Sequence, residues 1–220
     1  MLAIDLITDE IPPLKVTDTV AKALSWMEEF RVSHLPIVDR REFLGLVSDT
    51  ELLDINRPKE QLGKLKIPLI KASVTQKQHA FEALKLISGL NLSLLAVLDD
   101  NGKFTGSITS VNLMQRIAGM PFVHEPGGII ILELNTNDYS LVQIAQIVES
   151  NDAKILSSYI TSNIDSTKIE LTIKINTEDL SGILQTFFRY NYNVKASFHL
   201  GDYTRDLKNR FEEFIHYLNI

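Results

Sequence analysis

The 220-residue chain contains no cysteine. Disulfides and thiolate-ligated metal sites are therefore excluded, and a reducing, cytoplasmic setting is the natural reading. No apolar run approaches the length of a bilayer span. The first ten residues alternate apolar positions with Asp5, Asp9 and Glu10 and lack a basic flank, unlike a signal peptide. Long runs of Lys and Arg are missing as well. With a formal net charge of -6, the chain offers no electrostatic support for binding nucleic acid or an anionic membrane. Catalytic signatures are equally scarce: there is no Gly-x-Ser-x-Gly, no Walker loop and no Gly-x-Gly-x-x-Gly. The five histidines (His34, His79, His124, His199, His216) show no metal-ligand spacing such as His-x-x-x-His. An enzyme is not expected.

What is present is a repeat. Ser33-His34-Leu35-Pro36-Ile37-Val38-Asp39 and Phe43-Leu44-Gly45-Leu46-Val47-Ser48 are two short apolar runs around a charged turn, a hairpin signal. The second run leads into Ser48-x-x-Glu51, a capping box that predicts a helix start. The pattern returns about sixty residues later in Ser93-Leu94-Leu95-Ala96-Val97-Leu98-Asp99 and, after one extra turn residue at Gly102, Phe104-Thr105-Gly106-Ser107-Ile108-Thr109. Upstream, Ala23-Leu24 and Ala83-Leu84 keep the same register. An insertion confined to a turn, with register kept on either side, marks a duplicated fold.

Pro36-Ile37-Val38-Asp39 followed by Gly45-Leu46-Val47-Ser48-x-x-Glu51-Leu52-Leu53 resembles a CBS domain, and the second copy resembles its tandem partner. The resemblance implies a Bateman module of two β-α-β-β-α repeats that senses adenosine-containing ligands. AMP, ADP, ATP or S-adenosylmethionine are the ligands it offers, and no covalent cofactor is implied. It also implies that the Ser/Thr ending the last strand, and the residue three further on, hold a ribose or phosphate at a helix start. The matching residues are Ser48 and Glu51 in copy one and Thr109 and Asn112 in copy two, with Lys15 and His34 placed to neutralise a phosphate near the first. Both copies depart from the family's Asp: Glu51 is longer and Asn112 is uncharged. A capping box at Ser48 and Glu51, and an N-cap at Thr109, explain the same residues without a ligand.

Beyond Glu125-Pro126-Gly127-Gly128, read as a linker, the pattern changes. Strands over 129–134, 153–162, 167–175 and 193–200 alternate with helices over 139–150 and 179–190. This β-α-β-β-α-β order describes a ferredoxin-like sandwich. Together with the loop Asn135-Thr136-Asn137-Asp138 it resembles an ACT domain, which implies an amino-acid site at Asn135, Asn137 and Asp138. Ser140 and Leu141 stand where that family usually has Gly, and Asp138 alternatively caps the following helix. A last amphipathic helix is expected over 203–218, with Leu207, Phe211, Phe214, Ile215 and Leu218 on one stripe.

The expected architecture is α+β: repeats at 1–62 and 63–121, an ACT-like domain at 127–201 and a C-terminal helix at 202–220. CBS pairs followed by ACT domains resemble the bacterial acetoin-utilisation protein B group. The expected function is that of a regulatory sensor, with a dimeric interaction scaffold as the alternative reading. A homodimer and a protein target are the expected partners.

Overall fold

The structure is a computed structural model and describes residues 1–8, 10–162 and 167–199; the helix expected over 203–218 lies outside them. The chain forms two compact units, Met1–Gly119 and Met120–Ile220.

The first unit opens with a short 3-10 turn, Ala3–Leu6. Strand β1 (Leu14–Lys15), helix α1 (Val20–Phe30), strands β2 (His34–Asp39) and β3 (Glu42–Ser48) and helix α2 (Asp49–Ile55) follow. Strand β4 (Ser73–Thr75), helix α3 (Ala80–Gly89), strands β5 (Leu94–Leu98) and β6 (Phe104–Thr109) and helix α4 (Ser110–Ala118) then repeat that order. Each repeat makes a three-stranded sheet, ordered β1-β2-β3 and β4-β5-β6, with the first pair parallel and the second antiparallel. Even the irregularities match: a register shift falls between Ile37 and Val38 in one hairpin and between Val97 and Leu98 in the other. The turns differ, as the insertion at Gly102 requires. Arg40 and Arg41 close the first with φ of 46° and 72°, whereas the longer second turn places Gly102 at φ 74°.

Helix starts follow the side chains available. Thr19 caps α1 by accepting from the Lys22 N–H, Ser48 caps α2 with Glu51 reciprocating, and Thr109 caps α4. The apolar faces of α1 and α3 put Ala23 and Ala83 at full burial, where small side chains let helix and sheet approach closely. Trp26 packs at the edge of this core, edge-on to Phe30 and under the Lys22 ammonium.

The repeats are joined by an exchange of segments. Thr8 donates its N–H to the Ser107 carbonyl at 2.9 Å, so residues preceding β1 of the first repeat lie along β6 of the second. Ile70, preceding β4 of the second repeat, exchanges two hydrogen bonds of 2.9 Å with Leu46 on β3 of the first. Hydrogen bonds of this kind contribute about 1 kcal/mol each. Burying Leu6, which is fully covered, contributes about 1.5–3 kcal/mol. Packing and hydrogen bonds thus hold the crossing by comparable amounts, and the hydrogen bonds set its register. Glycine admits it twice: a Cβ on Gly45 would sit 2.6 Å from the Leu69 Cβ, and one on Gly106 would overlap the Ile7 side chain.

The second unit begins with a short helix α5 (Pro121–His124). Strand β7 (Ile129–Asn135), helix α6 (Leu141–Glu149), strands β8 (Ile155–Ser162) and β9 (Lys168–Ile175), helix α7 (Ser181–Arg189) and strand β10 (Asn193–Phe198) follow, the β-α-β-β-α-β order expected. The strands form one antiparallel sheet in the order β10-β7-β9-β8. Ile130, Leu132, Leu171 and Ile173 pack with Ile144, Ile147, Ile183 and Phe187 of the helices into a second core. The two units divide after Gly119, and Gly127-Gly128, read as part of the linker, is hydrogen-bonded within the second unit. There the Gly128 N–H donates to the Thr177 carbonyl at 2.7 Å, and the Lys174 ammonium reaches the Gly127 carbonyl at 2.8 Å. The cap of α6 is Ser140, not Asp138, because a 3-10 turn at Thr136–Asp138 uses up the preceding residues.

Replacing Gly106 with Ala is expected to destabilise the first unit by about 1–3 kcal/mol through overpacking against Ile7. Gly45→Ala should cost at least as much, since φ at Gly45 is +142°. Urea unfolding of each variant checks this; wild-type midpoints would contradict the exchange as a constraint.

Candidate functional site

Copy two opens onto a cleft. The N-terminus of α4, the residues Thr8, Glu10 and Ile11, the end of α1 and Ser93 surround this cleft of about 620 Å³. Thr109, Ser110, Val111, Asn112 and Gln115 line one side, and Glu29, Phe30, Arg31 and Val32 line another. The Thr109 hydroxyl accepts the Asn112 N–H at 3.0 Å, and the Asn112 side-chain amide donates to the Leu6 carbonyl at 3.0 Å. Asn112 thus ties the crossing segment to α4 while its remaining side-chain oxygen stays an acceptor beside the cleft. Thr8 and Glu10 reach the cleft only because the exchange carries them to the second repeat.

Copy one brings together three of its four predicted residues. His34 lies opposite Ser48 in the β2–β3 pairing. The Ser48 hydroxyl accepts the Glu51 N–H at 3.2 Å, and the Glu51 carboxylate accepts the Ser48 N–H at 3.5 Å, the capping box read from sequence. Lys15 is not brought to them. It pairs with Val38, at the other end of β2 from His34, roughly 13 Å away at the usual rise per strand residue. It lines a separate cleft of about 400 Å³ with Arg40 and Arg41.

His34 and Ser93 form the junction between the repeats. The N–H groups of Ser33 and His34 both donate to the Ser93 hydroxyl, at 2.9 and 3.0 Å. The Ser93 N–H donates to His34 Nδ1 at 3.3 Å. A backbone N–H cannot accept, so Nδ1 is the acceptor and the ring proton sits on Nε2. Burial pushes the His34 pKa below its ordinary value of 6.5, against the opposing charges of Asp49 and Glu51.

In the second unit the predicted loop borders a cleft of about 390 Å³ lined by Glu133, Asn135, Asp138, Gln143, Lys168 and Tyr192, among others. The Asn135 amide donates to the Asp138 carboxylate at 2.7 Å. Asn137 is exposed and is not part of that lining. Among the described residues no cluster of His, Asp and Glu could hold a metal ion, and no helix is long and apolar enough to cross a membrane.

The chain's likeness to known proteins falls on this repeated architecture. Residues 3–57 and 68–119 each match the family model of the CBS domain. Residues 3–119 are a tandem pair of CBS domains. Over 115 residues the chain is 26% identical to inosine-5'-monophosphate dehydrogenase of Methanocaldococcus jannaschii, covering 51% of this chain and 23% of that protein. The chain thus spans less than half the length of this relative. Among solved structures, a CBS-domain pair/ACT-domain protein of Thermotoga maritima is 21% identical, covering 53% of this chain and 96% of that one, with a TM-score of 0.48. CBSX2 in complex with AMP is 25% identical, covering 53% and 95%, with a TM-score of 0.45. An acetoin utilization protein of Vibrio cholerae is 23% identical, covering 53% and 90%, with a TM-score of 0.47. CBS pairs are generally regulatory.

The sequence pointed to Thr109 and Asn112 in the CBS pair but missed Thr8, Glu10, Glu29, Arg31 and Gln115. They come from three separate stretches, and only the crossing of the chain gathers them.

Because neutral His34 is favoured in the fold, its contribution to stability is present above pH 6.5 and is lost as pH falls through its lowered pKa. The thermal midpoint of the CBS pair is expected to fall between pH 7.5 and 5.5, and to fall less in His34→Gln. Equal losses in both proteins would remove the histidine from the account.

Proposed function

We propose that this protein is a non-catalytic regulatory sensor whose CBS pair binds an adenosine-containing ligand in the cleft at Thr109 and Asn112. The observation that carries the reading is the cleft itself. Its volume of about 620 Å³ lies within the usual range for small-molecule sites, about 300–1,000 Å³. It opens at a capped helix start, where free N–H groups favour a polar ligand, and Phe30 and Ile11 supply apolar wall for a base. The helix start at Ser48 and Glu51, beside His34, is the second candidate, with its carboxylate partly engaged by the capping box.

The second unit is proposed to be an ACT-type domain that takes an amino acid at the cleft bordered by Asn135 and Asp138. The ligand state is proposed to pass to the dimer or to this domain. A ligand achieves this only by differential affinity for two states.

A specific observation favours assembly as part of the same function. Leu53 on α2 and Val111 and Met114 on α4 are 62%, 62% and 72% exposed, a set of large apolar side chains suited to a two-fold homodimer. As a scaffold without ligand, the protein would use the same surface.

Calorimetry with AMP, ADP, ATP and S-adenosylmethionine is expected to give heat with at least one ligand, and Gln115→Trp, which fills the cleft, to abolish it. No heat with any of the four at millimolar concentration would leave the scaffold reading alone. Light scattering is expected to give a dimer that Met114→Glu converts to monomer; a wild-type monomer at micromolar concentration would exclude assembly through α2 and α4.

A further inference from the structure

Arg31 occupies an unusual position. It ends α1 in the left-handed region, with φ 54° and ψ 45°. Elsewhere in the chain, Asn56, Asn91, Asp152 and Asn191 adopt positive φ just after helices. Asn and Asp tolerate this conformation far better than other residues with a side chain. Asn91 is the counterpart of Arg31 across the repeat, sixty residues on, as Ser93 is of Ser33. Where the second repeat keeps the conformationally suited Asn, the first has an Arg whose guanidinium makes no ion pair or hydrogen bond among the described residues. Arg31 belongs to the lining of the copy-two cleft.

The other charged residues lining this cleft, among those described, are Glu10 and Glu29. The lining therefore carries two acidic residues and one arginine. A polyphosphate brings several negative charges to a cleft with one cation and two anions, and like charges oppose it. A carboxylate matches one guanidinium in a bidentate pair. The two acids suit positive charge on the same ligand.

We infer that the copy-two cleft selects an adenosine ligand with an amino-acid tail, its carboxylate on Arg31 and its positive charge facing Glu10 and Glu29, over a nucleoside polyphosphate. The inference rests on the adenosine reading above and adds the class of tail. Arg31 is the specificity-determining residue, and its absence from the second repeat makes the two sites of the pair unequal.

Calorimetry of the full chain with adenosine, S-adenosylmethionine and ATP tests this. S-adenosylmethionine is expected to bind more tightly than adenosine, and ATP more weakly than S-adenosylmethionine. Arg31→Asn copies the residue of the other repeat and suits the left-handed backbone, so the fold is kept. It should lower affinity for S-adenosylmethionine about tenfold, the scale of one charge-assisted hydrogen bond, and leave adenosine unchanged. The double variant Glu10→Gln with Glu29→Gln should bind ATP more tightly than wild type does. If adenosine binds but ATP is preferred to S-adenosylmethionine, or if Arg31→Asn leaves the ratio of S-adenosylmethionine to adenosine unchanged, the tail assignment is overturned while the adenosine reading survives. If none of the three binds, both fall.

Discussion

The crossing of chain segments between the two repeats governs the first unit. A single repeat has a three-stranded sheet whose β3 or β6 edge would stand open. Ile70 closes one edge and Thr8 closes the other, so each repeat is completed by residues that precede the first strand of its partner. An unpaired edge presents free N–H and C=O groups; here the exchange uses them to join the halves. Gly45 and Gly106 make room for the incoming chain, at the same place in each repeat. The His34–Ser93 junction adds a second tie, with both repeats sharing one hydroxyl.

The same crossing builds the cleft. Glu10 and Thr8 would lie far from Thr109 in an extended chain, and Asn112 holds them near by donating to the Leu6 carbonyl. The departure from the family's Asp at position 112 therefore has a structural use, since an aspartate lacks the amide that donates to Leu6. The repeats are equal in backbone but not in chemistry. Glu51 against Asn112, and Arg31 against Asn91, give one side a carboxylate in a capping box and the other an arginine lining an open cleft.

Much of the fold was legible because its signals are local. The hairpins, the one-residue insertion at Gly102 and the Ser48–Glu51 capping box are all set by neighbours within a few residues. Misreadings arose where local signals competed. Asp138 and Ser140 are both good caps, and only the 3-10 turn at Thr136–Asp138 decides for Ser140. Gly127-Gly128 has the composition of a linker, yet hydrogen bonds to Thr177 and from Ile175 make it part of the second sheet's margin. Lys15 was assigned to the first site by resemblance, and the register of β1 against β2 carries it to the opposite end.

By itself the sequence determined that this protein is duplicated, which residues begin its helices, and which apolar positions face inward, because periodicity and capping act over distances of one or two turns. Only the tertiary structure decided which residues share a cleft. Thr8, Arg31 and Gln115 are joined by the path of the backbone between the repeats, and no pattern within a single stretch of chain encodes a meeting of three.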